Sequence, residues 1–405
     1  MEKEFVSKWV KIALLNLAIV ALVGVVLRYK IAFCLPVIDQ RNLLHGHSHF
    51  AFSGWISQVL MTLLVYYLHT RNQTNLAKRY SWVLLSNLFV SIGMLVSFSI
   101  QGYAFFSIFF STLSIFISYF FAILFWKDLN KLDSTPNTNK WFKAALFFNT
   151  ISSLGPYSLA IMMARHIMNQ KLYLASVFYY LHFQYNGWFL FSCIGLLISK
   201  TNKIISEDKK INYIFWMFAI SCIPSFFLSA LWIPIHSSIY ILVLFSAIIQ
   251  LVAWIWLLKI LHTRITQLKN QLSKVTKWLL LIAAISMSIK LALQLGSAYP
   301  TLGQLTFGFR PIVIGYLHLV FLGLITMFIL GYILLENLIV INKFALIGII
   351  IFTLGVFINE LFLMTQGIFA LLNTGLPNIN SWLLMSAIIM FIGLFILNIK
   401  QTFKK

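Results

Sequence analysis

The stretch RNLLHGHSHFAFSGWISQVLMTLLVYYL, residues 41–68, joins two properties that seldom share one helix. From Leu43 onward it is apolar for long enough to cross a hydrocarbon core as an α-helix, which takes roughly 20 residues. Its first turns nevertheless carry three histidines, His45, His47 and His49. Imidazole within a membrane span is costly to desolvate and is usually paired, ligated or lining a pathway. It is also the commonest metal ligand among side chains.

Comparable apolar runs extend in both directions from this stretch. Twelve are expected, at 10–29, 43–68, 80–98, 104–126, 142–164, 173–198, 212–234, 238–259, 276–296, 311–334, 343–371 and 380–399. The composition agrees, with 60% hydrophobic residues, 10% charged residues and a mean hydropathy of +0.90. Soluble domains carry roughly 25% charged residues. The gaps leave no room for a soluble domain, so 1–405 reads as a single polytopic membrane domain of all-α class. The first run is long and is followed by Arg28-Tyr29-Lys30, which reads as a retained span and not a cleaved signal peptide.

The net charge of +21 is a matter of topology. Taking alternate sides of the twelve spans, one side collects groups such as Lys3, Lys8 and Lys11, then Lys200, Lys203, Lys209 and Lys210, and finally Lys400, Lys404 and Lys405. The other side receives Arg28, Lys30, Arg41, Arg165, Lys171 and Arg310. A bias of that size places both termini in the cytoplasm of a multi-pass, bacterial-type inner membrane protein. Nucleic acid is not expected as a partner, because the charges are scattered over short loops. The lipid bilayer is.

This orientation gives the histidines a depth. His45, His47 and His49 lie in the outer turns of span two, and His182 lies about 15 Å down span six. His236 falls at the outer end of span seven, and His318 about two turns below the surface in span ten. Four helices bring imidazole to the outer half of the membrane, which points to a haem or metal centre.

Spans two, six, seven and ten are the ligand-bearing helices of the haem–copper oxidase and nitric oxide reductase superfamily, and the chain resembles its catalytic subunit. Gly315-Tyr316-Leu317-His318 with Gly323 is similar to the helix-ten motif G-H-x-H-x-x-x-x-G. His182-Phe-Gln-Tyr-Asn186-Gly187 is similar to the reductase helix-six motif H-x-x-x-E-G. Arg41 through Gly54, with Phe50-Ala51-Phe52, resembles helix two of the cbb-type oxidases. His47-Ser48-His49 with Gly54 also resembles the NnrS-type membrane haem proteins, a near alternative.

The resemblance implies a haem–copper-oxidase-like bundle and a low-spin haem b on His47 and His318. It implies a second centre near His182, His236 and Tyr316, holding a further haem and copper or non-haem iron. The departures fall on that second centre. Tyr316 stands where a haem ligand is expected, Ser237 follows His236 in place of a second histidine, and Asn186 replaces an iron-ligating glutamate. Tyrosinate can itself ligate haem iron. The implied activity is electron transfer, or the reduction or handling of O2 or NO as an oxidoreductase, with a cytochrome, a quinol or a partner subunit as electron donor.

Each site has a plainer reading. Turns of 100° put His45 and His49 on one face of their helix and His47 nearly opposite. One of the three is therefore an interfacial or propionate-side residue; His47 is favoured as ligand, with His45 and His49 as alternatives. His318 could be a core histidine bonded to a neighbouring carbonyl. His182 could be satisfied by Tyr179, Tyr180, Gln184 or Tyr185, and His236 by loop solvent. Arg41 and Arg310 could partner haem propionates or simply snorkel. Glu360 and Lys290 sit well inside spans, where they could serve a proton route or pair with each other.

Cys34, Cys193 and Cys222 lack metal or disulfide spacing. Pro224 is expected to kink span seven, and 133–140 and 201–210 read as cytoplasmic loops. Two further functions fit the composition. One is a proton-coupled secondary transporter using the histidines, Lys290 and Glu360. The other is an accessory membrane subunit without haem.

Overall fold

The computed structural model describes residues 2–71, 73–132, 136–205, 209–233, 235–269, 272–299, 309–399 and 401. These residues form helices and connecting turns, with no strand among them. In chain order the helical runs are α1 Glu2–Phe33, α2 Gln40–Thr70, α3 Leu76–Gln101, α4 Phe105–Leu129, α5 Asn137–Ala164 and α6 at 170–205. They continue with α7 Lys209–Cys222, α8 Ser237–Lys269, α9 Lys274–Ser297, α10 Arg310–Leu335, α11 Lys343–Leu371 and α12 Ile379–Ile399. Ten of these are long and apolar enough to cross a membrane, and α7 with its bent continuation makes eleven. The run through His182, α6, is not among them. The chain is a multi-span membrane protein.

Short polar residues set the helix starts by accepting orphan backbone N–H groups. Asp39 accepts from Asn42 at 2.7 Å before α2, Asn169 from Leu172 at 3.1 Å before α6, and Asn342 from Ala345 at 2.8 Å before α11. Two expected loops are shorter than their composition implied. Residues 136–140 already belong to α5, and 201–205 and 209–210 to α6 and α7, while 206–208 lie outside the described residues. Pro234, Lys400, Lys404 and Lys405, with the side chains of Lys203 and Lys269, also lie outside them.

Span seven breaks where expected. The helix Lys209–Cys222 turns by 43° into a 3-10 segment, Pro224–Ala230. Proline supplies no N–H to the helical ladder and clashes with the preceding turn.

The chain divides into two compact units, Met1–Asp128 with Thr326–Lys405, and Leu129–Ile325. In the first, α1 packs on α2 and α12, α2 on α3, and α11 on α12. Gly348 and Gly393 let α11 and α12 approach closely, since a Cβ at Gly348 would lie 2.6 Å from the Gly393 carbonyl. Buried Asp128 closes the end of α4 onto α3, accepting from Tyr80 Oη at 2.8 Å and pairing with Arg79 at 2.9 Å. In the second, α5 packs on α6, α7 on α8, and α8 on α9.

Candidate functional site: histidines at three wide helical turns

Three helices change from α to π geometry in mid-span. The π segments are Ala51–Ser57 in α2, Phe183–Phe189 in α6 and Leu319–Thr326 in α10. Each follows a histidine, and His182 and His318 are the last α-helical residues before theirs. A π-turn closes i→i+5 hydrogen bonds and displaces the ladder by one residue, so it marks a place where packing or function overrides the α-helix.

In α2 the neighbouring helices hold the widened turn. Asn16 on α1 donates to the Gly54 carbonyl at 2.6 Å, and Asn87 on α3 donates to Ser53 O at 3.1 Å and to Gln58 Oε1 at 2.7 Å. Trp55 Nε1 donates to Thr326 Oγ1 at 3.0 Å. Backbone groups freed inside an apolar medium need such partners. None of these asparagines stands out in sequence.

The three α2 histidines separate as helical geometry requires. His49 stacks on Phe98 with centroids 4.3 Å apart and planes 4° apart, and His45 meets Tyr103 edge-on at 4.7 Å. Both therefore face the α3 end and the turn after it. His47 faces α1, where its Cε1 would lie 3.4 Å from a Cβ on Gly24. The His49 ring makes aromatic contacts and no hydrogen bond among the described residues, and His45 Nε2 has no hydrogen-bond partner. Arg41 is exposed in the first turn of α2.

On α10, His318 Nδ1 lies 2.8 Å from the carbonyl of Ile314, one turn earlier. A carbonyl only accepts, so Nδ1 carries the proton and Nε2 the lone pair. This is the bond that the plainer reading requires, and it is equally the bond that orients a metal-ligating histidine. Arg310 is exposed at the start of the helix. Tyr316 is half-buried, and its hydroxyl interacts with that of Tyr185, whose ring centroid is 6.2 Å away.

His182 is fully engaged by the protein. Its Nε2 lies 2.8 Å from the Cys222 carbonyl and its Nδ1 3.0 Å from Asn186 Nδ2. The carbonyl demands the Nε2–H tautomer, which leaves Nδ1 to accept from the asparagine amide. The partners are thus Asn186 and Cys222, not the tyrosines and glutamine expected from sequence; Gln184 donates instead to Asn149 and Ser152 at 2.9 and 2.8 Å. The Cys222 carbonyl is available because the helix breaks just beyond it, and Ser225 Oγ shares it at 3.0 Å. His236 is exposed, and its Nδ1 accepts from Ser238 in the first turn of α8. Among the described residues, no group of three or more His, Cys, Asp or Glu side chains could hold a metal ion. Neither protein-family models nor curated proteins match the chain.

A common register links the three π segments. His49 precedes Gly54, His182 precedes Gly187, and His318 precedes Gly323, each glycine five residues on. Each glycine sits where a side chain would collide, with Phe50, Phe148 and Ser286 Oγ respectively. The pattern H-x-x-x-x-G therefore marks a wide turn closed tightly by its surroundings. The histidines are 133 and 136 residues apart, and Tyr180-Leu181-His182 recurs as Tyr316-Leu317-His318. This register aligns His49, and not His47, with His182 and His318.

The two ionisable groups inside spans have different surroundings. Glu360 is half-buried on α11 and accepts from the adjacent Asn359 at 3.2 Å. Lys290 on α9 is 1% exposed, and its ammonium has no hydrogen-bond partner among the described residues.

Proposed function

We propose that this protein is a haem-binding membrane redox protein, divergent from the haem–copper oxidase and nitric oxide reductase superfamily. It acts in electron transfer or in the handling of O2 or NO, with an electron donor outside the chain and both termini in the cytoplasm. The observation that carries the reading is the hydrogen bond from His318 Nδ1–H to the Ile314 carbonyl. It fixes the ring and directs the lone pair to Nε2, the form in which imidazole ligates iron.

The first unit supplies His45, His47 and His49 in a span whose polar demands are otherwise met by Asn16 and Asn87. Bound haem b would supply one-electron chemistry, and histidine as axial ligand tunes it. The chain's own part is to hold the rings and exclude water, which the buried aromatic side chains Phe50, Phe98 and Trp55 favour. His182 and His236 already have protein partners and are not offered as metal ligands. Tyr316 and Glu360 remain candidates for moving protons near such a centre.

The test is the haem-to-protein ratio of the purified chain by pyridine haemochrome spectroscopy, repeated for His318→Ala. Bound haem b that His318→Ala loses supports the reading. A chain without haem from a haem-replete host overturns it and favours the proton-coupled transporter, to which buried Lys290 and half-buried Glu360 would then belong.

A further inference from the structure

Buried ammonium groups are rare because desolvation costs far more than a neutral side chain does, and natural examples are paired or hydrogen-bonded. Lys290 is neither. It lies 1% exposed within the second unit, with Nζ unpartnered among the described residues. Its charge is felt by His182 and Cys222, so it lies in their neighbourhood.

No internal counter-charge is at hand in that unit. Between 129 and 325 the carboxylates are Asp133, Glu207 and Asp208, all in the short polar stretches between apolar runs. One turn further along α9, on the same helical face, Gln294 is also buried and its Oε1 also lacks a partner. Two buried polar side chains side by side, one of them cationic, form a cradle that the protein itself does not fill.

We propose that the second unit binds a small monovalent anion at Lys290, with the ammonium as its charge partner. Full burial of the lysine among packed helices limits the ligand to a halide or a compact oxyanion. The inference stands independently of haem, because it uses neither His318 nor the α2 histidines.

Isothermal titration of the purified full chain with sodium bromide and sodium nitrite tests it, with sodium gluconate as the bulky control. Saturable binding of either small anion, absent with gluconate, is expected. Lys290→Met should weaken it by roughly tenfold or more, the loss of one charge-assisted bond. Lys290→Arg should retain it. Gln294→Glu should abolish it by placing a carboxylate one turn from the ammonium, and this variant decides the matter if Lys290→Met does not fold. Binding of neither anion to the wild-type chain overturns the proposal, as does undiminished binding to Lys290→Met or Gln294→Glu. Haem content measured on the same samples keeps the two readings apart: loss of haem with anion binding intact sinks the haem reading alone.

Discussion

Asn186 directs its amide nitrogen at His182 Nδ1 from 3.0 Å, and the Cys222 carbonyl takes the other side of the ring at 2.8 Å. In water these bonds would be exchanged for solvent at little net cost, but a buried group left unpaired costs about 1–3 kcal/mol. Asn186→Leu removes the donor and strands Nδ1 in an apolar setting. A lower melting temperature in detergent, of that order in free energy, is expected. An unchanged melting curve would show that the ring finds another partner. The same argument applies to Asp128, which is 1% exposed and accepts from Tyr80. Asp128→Ala should destabilise by about 1–3 kcal/mol through the stranded Tyr80 hydroxyl. The Arg79 pair adds little to this, because its side chain is 38% exposed.

At the scale of elements, the break after Cys222 connects a proline to a histidine 40 residues away in sequence. Pro224→Ala restores the missing N–H and lets α-helical bonding run through 222–230. Slower hydrogen exchange across that segment is the expected outcome, and unchanged exchange would mean that packing alone imposes the bend. The contact of α11 with α12 offers a second test. A Cβ at Gly393 would meet the backbone of Phe352, so Gly393→Val should force the helices apart and cost about 1–3 kcal/mol. Equal stability of this variant in thermal melts would rule out the close approach.

Apolar run length made the helices legible, and 100° turns were enough to separate His47 from His45 and His49. The partners of His182 were not legible, because one is a backbone carbonyl exposed only by a distant bend. The π segments were equally hidden, since their hydropathy is that of an ordinary span. Their H-x-x-x-x-G register was visible in the letters, yet its three copies are too far apart to draw notice without the turns they mark.

For the whole molecule, the charge bias puts the connection between α1 and α2 outside the cytoplasm, and Cys34 sits exposed in it. Cys193 and Cys222 are buried. A membrane-impermeant maleimide added to intact cells should therefore label the protein, and Cys34→Ser should abolish the label. Labelling that requires permeabilised cells would invert the topology.

The α2 helix combines the modest mean hydropathy of 1.4 with 83% of its most apolar window buried, whereas α1 reaches 2.6 with 44% buried. During synthesis α1 can partition into lipid unaided, while α2 arrives with three imidazoles and little greasy surface to recommend it. Its seat is made by Asn16 of α1, already in place, and by Asn87 of α3, which the ribosome has yet to deliver. Biogenesis of the histidine-bearing helix thus waits on its successor, and the nascent chain must shelter α2 until α3 arrives.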